Sequence, residues 1–416
     1  MIICLEMNTL NDFFKDIPKI GRTCFLSFAI FQLAFASYGQ LTDSKMPPDL
    51  LIGYTELRTN LPGGRQANVG TMRAMIVKPD GSGRKVLVES LIQGSDTLTQ
   101  FAGWSPDGKT AIIGRGWKNA QNAIWEEENK QFRNIEGEVL YDNFLVDIKT
   151  GKATNVTSVD RISCYNSGLF YWPDDPTKLG FTALINGVSH PFKMDIDGRN
   201  KVDLTKGSNE FTYGFNASKD GKWIAYHKDY QVYIANADGS NARKIETGNH
   251  FNFGPQWSSD GNWLLFVSGE RNTSCNPYLV RADGTGLKKL ADRGGYKGSI
   301  EFLDVYDFHQ GSSDIPVWSV DGNSVYYTAL DGETVELFQS DREGKAQQLT
   351  NSKTGTLHYH PEPSPDGKWL LYGIKRDGVR QICVMRLSDH SEIQITNLEK
   401  GSAAMWGHWQ PFNRSH

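Results

Sequence analysis

Two histidines stand one residue apart in His358-Tyr359-His360, and His250, His309 and His408 occur at comparable places elsewhere in the chain. Three or four imidazoles brought to one point would bind Mn²⁺ or Zn²⁺, whereas Ca²⁺ would draw on carboxylates such as Glu301, Asp307 or Asp314. A second chemistry lies in the cations Arg271 and Arg376. A guanidinium can clamp a uronate carboxylate with two parallel hydrogen bonds, and the clamp acidifies the adjacent C–H proton. Tyr359 or a histidine could then take that proton as a base. Trp117, Trp125 and Trp406 offer flat faces on which a sugar ring can stack. Each residue also has a structural reading: a histidine bonded to neighbouring backbone, an arginine solvated on a loop, Trp406 as a buried wedge.

These side chains need a scaffold, and the composition says which kind. The chain has 416 residues with 42 Gly, 11 Trp, 16 Tyr and 21 Phe, which reads as many short strands and turns. A net charge of -4 points to neither nucleic acid nor an anionic membrane surface as a partner. Residues 1–39 read as a secretory signal: Lys15, Lys19 and Arg22 precede an apolar run over 24–36, with cleavage expected after Ala36 or Gly39. That run of roughly 13 residues is short of the ~20 that span a bilayer, so no transmembrane segment is expected in the mature chain. The expected organisation is a signal peptide over 1–39 and one domain over 40–416, periplasmic or secreted. Cys164, Cys275 and Cys383 remain after cleavage, without the spacing of a cysteine metal site.

The scaffold is written in a repeat. Trp104-Ser-Pro-Asp107-Gly108, Ala217-Ser-Lys-Asp220-Gly221, Trp257-Ser-Ser-Asp260-Gly261, Trp318-Ser-Val-Asp321-Gly322 and Pro363-Ser-Pro-Asp366-Gly367 recur, with a weaker copy at Trp172-Pro-Asp174-Asp175. Asp-Gly makes a tight turn, glycine taking positive φ and aspartate bonding nearby amides, and apolar runs such as Trp369-Leu-Leu-Tyr372 follow as strands. Each copy is therefore a hairpin between the first and second strands of a unit, and the tryptophans at 104, 172, 223, 257, 263, 318, 369 and 409 are expected in the core. A second turn series, including Asp80-Gly81, Asp197-Gly198, Asp238-Gly239 and Asp283-Gly284, joins third to fourth strands. Gly407-His-Trp409 resembles a first strand with nothing after it, expected to pair with the strands near Leu51–Tyr54, Met75–Val77 and Lys85–Val88. The expected fold is an all-β, seven-bladed β-propeller closed by that pairing, with eight blades as the alternative.

The Trp-Ser-Pro-Asp-Gly repeats resemble the TolB-like, WD40-like PD40 propeller repeat of periplasmic and secreted bacterial proteins, over nearly the whole mature chain. A narrower resemblance, carried by His358-Tyr359-His360-Pro361 before Pro365-Asp366, is to the oligogalacturonate lyases, whose propellers hold a divalent cation with channel histidines. That resemblance implies metal-assisted cleavage of uronate oligosaccharides with His358, His360, His309 and His408 at the site. Against it stands a module that binds an acidic oligosaccharide or a protein without catalysis. The Asp-Gly turns fall on one face. The histidines, the arginines and two insertions near residues 116–138 and 291–314 fall on the other.

Overall fold

The computed structural model describes residues 46–47, 49–62, 64–92, 97–118, 139–158, 168–185, 188–208, 212–270, 274–296, 299–300, 305–306 and 314–412. The chain divides into Met1–Asp49 and Leu50–His416. The expected leader lies outside the described residues, and among these no helix is long and apolar enough to cross a membrane.

From Leu50 onward the architecture is antiparallel β-sheet in successive four-stranded meanders. The first comprises Thr97–Trp104, Thr110–Lys118, Val139–Asp147 and Ala153–Asn155; the second Phe170–Trp172, Asp175–Ile185, Val188–Asp195 and Val202–Asp203. Two more run over Thr212–Ala217, Trp223–Lys228, Gln231–Asn236, Arg243–Lys244 and over Phe251–Trp257, Trp263–Glu270, Ser274–Arg281, Lys288–Lys289. After a short hairpin of Ser299–Ile300 with Val305–Tyr306 come Val317–Trp318, Ser324–Asp331, Thr334–Asp341, Ala346–Gln348 and then Leu357–Pro363, Trp369–Arg376, Val379–Arg386, Glu392–Gln394. Ser402–Trp409 pairs antiparallel with Ile52–Arg58, from Arg58↔Ser402 to Ile52↔Trp409, and Ile52–Arg58 continues into Arg73–Val77 and Lys85–Val86.

The repeat's serine is the reason its turn is so regular. Ser364 Oγ donates to Asp366 Oδ1 at 2.6 Å and accepts from the Trp369 amide at 3.0 Å, so one hydroxyl closes the turn and starts the next strand. Ser105, Ser218, Ser258 and Ser319 make the same bond to their aspartates at 2.5–2.7 Å. Ser364 is fully buried. Its replacement by alanine strands the Trp369 amide, and we expect Ser364→Ala to lower stability by about 1–3 kcal/mol, read as a shifted urea midpoint at constant slope.

The repeat's aromatic residue joins one meander to the next. The indole N–H donates to a carbonyl of a neighbouring first strand: Trp104 to His408 O at 3.2 Å, Trp318 to Gln256 O at 3.2 Å and Trp409 to Glu362 O at 3.0 Å. Asn216 and Pro255 O, and the ring pair Phe170–Phe215 at 5.1 Å, link further first strands. Glycines make room for this packing. A Cβ on Gly53 would stand 2.1 Å from the Phe101 ring, and within one meander a Cβ on Gly373 would stand 1.9 Å from the Tyr359 ring.

One tryptophan departs from the expected core. Trp223 is 42% exposed, whereas Trp369 and Trp409 are 4% exposed. The reason is its cross-strand partner: Arg281 opposite Trp263 and Arg386 opposite Trp369 each lay a guanidinium over the indole, at 5.1 and 5.0 Å, but Asn236 stands opposite Trp223.

Candidate functional site

Three of the sequence-selected residues come together on adjacent first strands: His360 on Leu357–Pro363, and Trp406 and His408 on Ser402–Trp409. Both strands carry an irregularity here, with register shifts between Tyr359 and Glu362 and between Gly53 and Thr55. His360 sits at φ 49° and Trp406 at φ 52°, in the left-handed region. Counted from the repeat's Trp, Pro or Ala, both lie three residues upstream, where Gly254 (φ 60°) and Gly214 (φ 64°) stand in two other meanders. A side chain in this conformation costs roughly 1–2 kcal/mol that glycine avoids. Two adjacent strands thus place a ring in the left-handed conformation that two others give to glycine, and the rings lie 6.2 Å apart.

Beneath the pair is a buried polar scaffold. The His360 amide donates to Asp314 Oδ1 at 2.6 Å, and its ring Nδ1 lies 3.8 Å from the same oxygen. Asp314 is 3% exposed, accepts from Thr328 Oγ1, and faces the Arg293 guanidinium at 3.6 Å. Arg293, itself 1% exposed, donates to Thr328 O at 2.6 Å. Burial pushes the His360 pKa down to about 4, against the pull of Asp314 and with help from Arg380 and His408. The imidazole is therefore neutral at pH 7, able to donate from one nitrogen and accept at the other. His408 Nδ1 meets Glu362 Oε2 at 2.8 Å, and Glu362 Oε1 accepts the Trp409 amide at 2.8 Å. The His408 ring stacks on Phe101 at 6.0 Å.

The other candidates are placed differently. His358 is 1% exposed, its Nδ1 bonds Val335 O at 2.7 Å, and burial lowers its pKa. Tyr359 is buried and its hydroxyl donates to Ala404 O at 2.8 Å, while Arg380 packs over its ring at 4.8 Å. Burial raises its pKa, so the phenol is held protonated. Arg376 bonds Glu392 Oε1 at 2.9 Å, and Tyr372 bonds the other oxygen at 2.6 Å. His250 is exposed, with its carbonyl accepting from Gln231 Nε2 at 3.2 Å. Arg271, Trp125, His309, Glu301 and Asp307 lie outside the described residues, as does the side chain of Trp117. Among the described residues, no three His, Cys, Asp or Glu side chains are grouped to hold a metal ion.

Sequence reasoning did not find Arg293, Thr328, Glu362 or Arg380, and it raised Asp314 for calcium alone. A signal for His360 and Trp406 was nonetheless present: aligning the first strands on the repeat motif sets both residues against Gly214 and Gly254.

No protein-family model matches the chain. An uncharacterized protein of Agrobacterium fabrum, Atu1656, is 27% identical over 160 residues, covering 38% of this chain and 52% of its own. The uncharacterized peptidase YuxL of Bacillus subtilis is 24% identical over 155 residues, 28% of this chain and 21% of its own. The chain thus spans about half, or less, of the curated relatives it matches. Among solved structures, TolB from Acinetobacter baumannii superposes with a TM-score of 0.49 at 16% identity, over 92% of this chain and 71% of its own. An oligogalacturonate lyase in complex with manganese gives a TM-score of 0.54 at 14% identity, over 77% of this chain and 80% of its own. At such identities the likeness is one of fold, and the chain is a β-propeller.

Proposed function

We propose that the chain is an exported propeller of seven blades, closed by the pairing of Ser402–Trp409 with Ile52–Arg58, and that it works as a glycan- or protein-binding module. Seven four-stranded groups and the contacts between successive first strands support the count. The observation that carries the binding reading is the pair His360 and Trp406, held in left-handed backbone where glycine would be easier. Strain of this kind persists where the surroundings enforce it and clusters at ligand sites. A neutral imidazole beside an indole face offers stacking plus one donor and one acceptor, which suits a sugar ring.

Lyase chemistry is the second reading, favoured by the fold shared with a manganese-bound oligogalacturonate lyase. It needs a base and a free guanidinium. Tyr359 donates its proton to Ala404 O, and Arg376 is paired with Glu392. Arg271 lies outside the described residues and His360 is a neutral imidazole; binding requires neither a base nor a free guanidinium and is the simpler reading. Calorimetric titration with trigalacturonate, followed in parallel for unsaturated uronate absorbance, tests it. Expected are a binding heat, about tenfold weaker affinity in Trp406→Ala and His360→Gly, no lowering of the melting temperature by His360→Gly, and no unsaturated product. Accumulating product would establish the lyase instead, and an absent heat would leave a protein as the ligand.

A further inference from the structure

On the side of the Asp-Gly turns, between the meander Thr212–Lys244 and the meander Phe251–Lys289, lies a groove of about 760 Å³. We infer that it binds a pyranose ring of a neutral glycan, with the uncovered Trp223 as the stacking platform. This site is separate from the His360–Trp406 pair and does not depend on the reading given to that pair.

Three features coincide here. Trp223 lacks the arginine that covers Trp263 and Trp369, because its cross-strand partner is Asn236. The turn glycine is uncrowded as well. A Cβ on Gly108 would lie 2.6 Å from Pro411 O, on Gly221 1.8 Å from Asp174 Oδ1, and on Gly322 2.5 Å from Ser259 Oγ; each is the third residue of the adjoining blade's turn. At Gly261, on the groove, nothing lies within 4 Å, although Gly367 shows the same openness elsewhere. Last, the indole N–H clamp seen at Trp104, Trp318 and Trp409 is not made by Trp257, whose Nε1 is buried with no partner. At this junction the turns stand apart and leave an aromatic face bare.

The polar lining chooses the ligand. Asp220, Asp260 and Asp283 line the groove with Trp223, Lys219 and Arg243. Asp283 uses Oδ1 for the Thr285 amide and hydroxyl, at 2.8 and 2.6 Å, which leaves Oδ2 to accept from a sugar hydroxyl. Arg243 is tied to Ala282 O, and Asp260 to Arg342. Asp220 is paired with Lys222 at 3.5 Å and Asp260 with Arg342 at 2.8 Å, so those charges are spent within the protein, while Asp283 Oδ2 and the indole give a hydroxyl-rich ring an acceptor beside a stacking face. A volume near 760 Å³ is within the range of small-ligand clefts.

Saturation-transfer NMR on the full chain, with cellohexaose, maltohexaose, xylohexaose and mannohexaose as probes and trigalacturonate as the charged comparator, tests the inference. At least one neutral hexaose is expected to receive saturation on its ring C–H protons. Its affinity should fall about tenfold in Trp223→Ala, and likewise in Asn236→Arg, which supplies the cover seen over Trp263 and Trp369. Asn236→Arg should keep the wild-type melting temperature, and Trp406→Ala should leave this binding intact. Transfer to none of the four hexaoses, transfer that survives both Trp223→Ala and Asn236→Arg, or stronger binding of trigalacturonate would overturn it.

Discussion

Asp314→Ala is expected to lower the unfolding free energy by about 3–5 kcal/mol, the range measured when one partner of a buried ion pair is removed. Asp314 and Arg293 are 3% and 1% exposed, so the arginine charge left behind cannot be hydrated in place. The carboxylate also receives the Thr328 hydroxyl and the His360 amide. One truncation therefore strands a charge, a hydroxyl and an amide that belong to three separate segments. The double variant Arg293→Met/Asp314→Leu removes both charges together and should recover the part of the loss due to the stranded charge, while the Thr328 hydroxyl and the His360 amide remain without the carboxylate. Urea unfolding of the three proteins measures both effects. A single-variant loss below about 1 kcal/mol would show that the pair does not hold these segments together. The same variant bears on the site, since the Asp314 carboxylate accepts the amide that fixes His360 at φ 49°.

What could be read in the sequence was local. Ser-x-Asp-Gly specifies its turn through bonds spanning at most five residues, Ser364 to Trp369, so each hairpin was legible wherever the motif survived. The pairing of Ser402–Trp409 with Ile52–Arg58 was legible for a related reason: a first strand without successors and strands without a first strand complement each other. Trp223 was misread because its exposure is decided across the sheet, by Asn236 standing where Trp263 and Trp369 each face an arginine. The motif shows no trace of that substitution. The Arg293–Asp314–Thr328 scaffold was illegible because its members are as much as 35 residues apart, within and beyond an insertion that has no counterpart in the repeat. Tyr359 and His360 show the limit of residue type as a guide. They are sequence neighbours, yet the phenol is packed over Gly373 and bonded to Ala404 O, while the imidazole beside it keeps a side-chain exposure of 19%.

Acid should destabilise the protein in two stages, and the sign follows from the direction of each shift. Burial lowers the pKa of His227 to about 3 and of His360 to about 4, whereas an unfolded histidine titrates near about 6.5. Each is neutral in the fold and takes a proton on unfolding. Its stabilisation is complete above about pH 6.5 and is lost as pH falls toward the folded value, at up to about 1.4 kcal/mol per pH unit per histidine. The second stage begins below about pH 4, where unfolded aspartates protonate. Asp107, Asp220 and Asp321 are held low first by the hydroxyl bonds of Ser105, Ser218 and Ser319. In Asp260 burial opposes the shift, but Ser258, the Asn262 amide and Arg342 together bring it to about 2. Chemical unfolding measured from pH 8 to pH 3 should show no slope above pH 7, a first slope from about 6.5 downward, and a steeper one below about 4. His227 separates the stages. Its ring lies 4.6 Å from Phe253 and 5.6 Å from Tyr230, so His227→Phe keeps an aromatic contact while removing one titrating group. That variant should lose about one proton's worth of slope between pH 6.5 and 4 and keep the acid stage intact. An unchanged slope between pH 6.5 and 4 would mean that the buried imidazole is protonated in the fold.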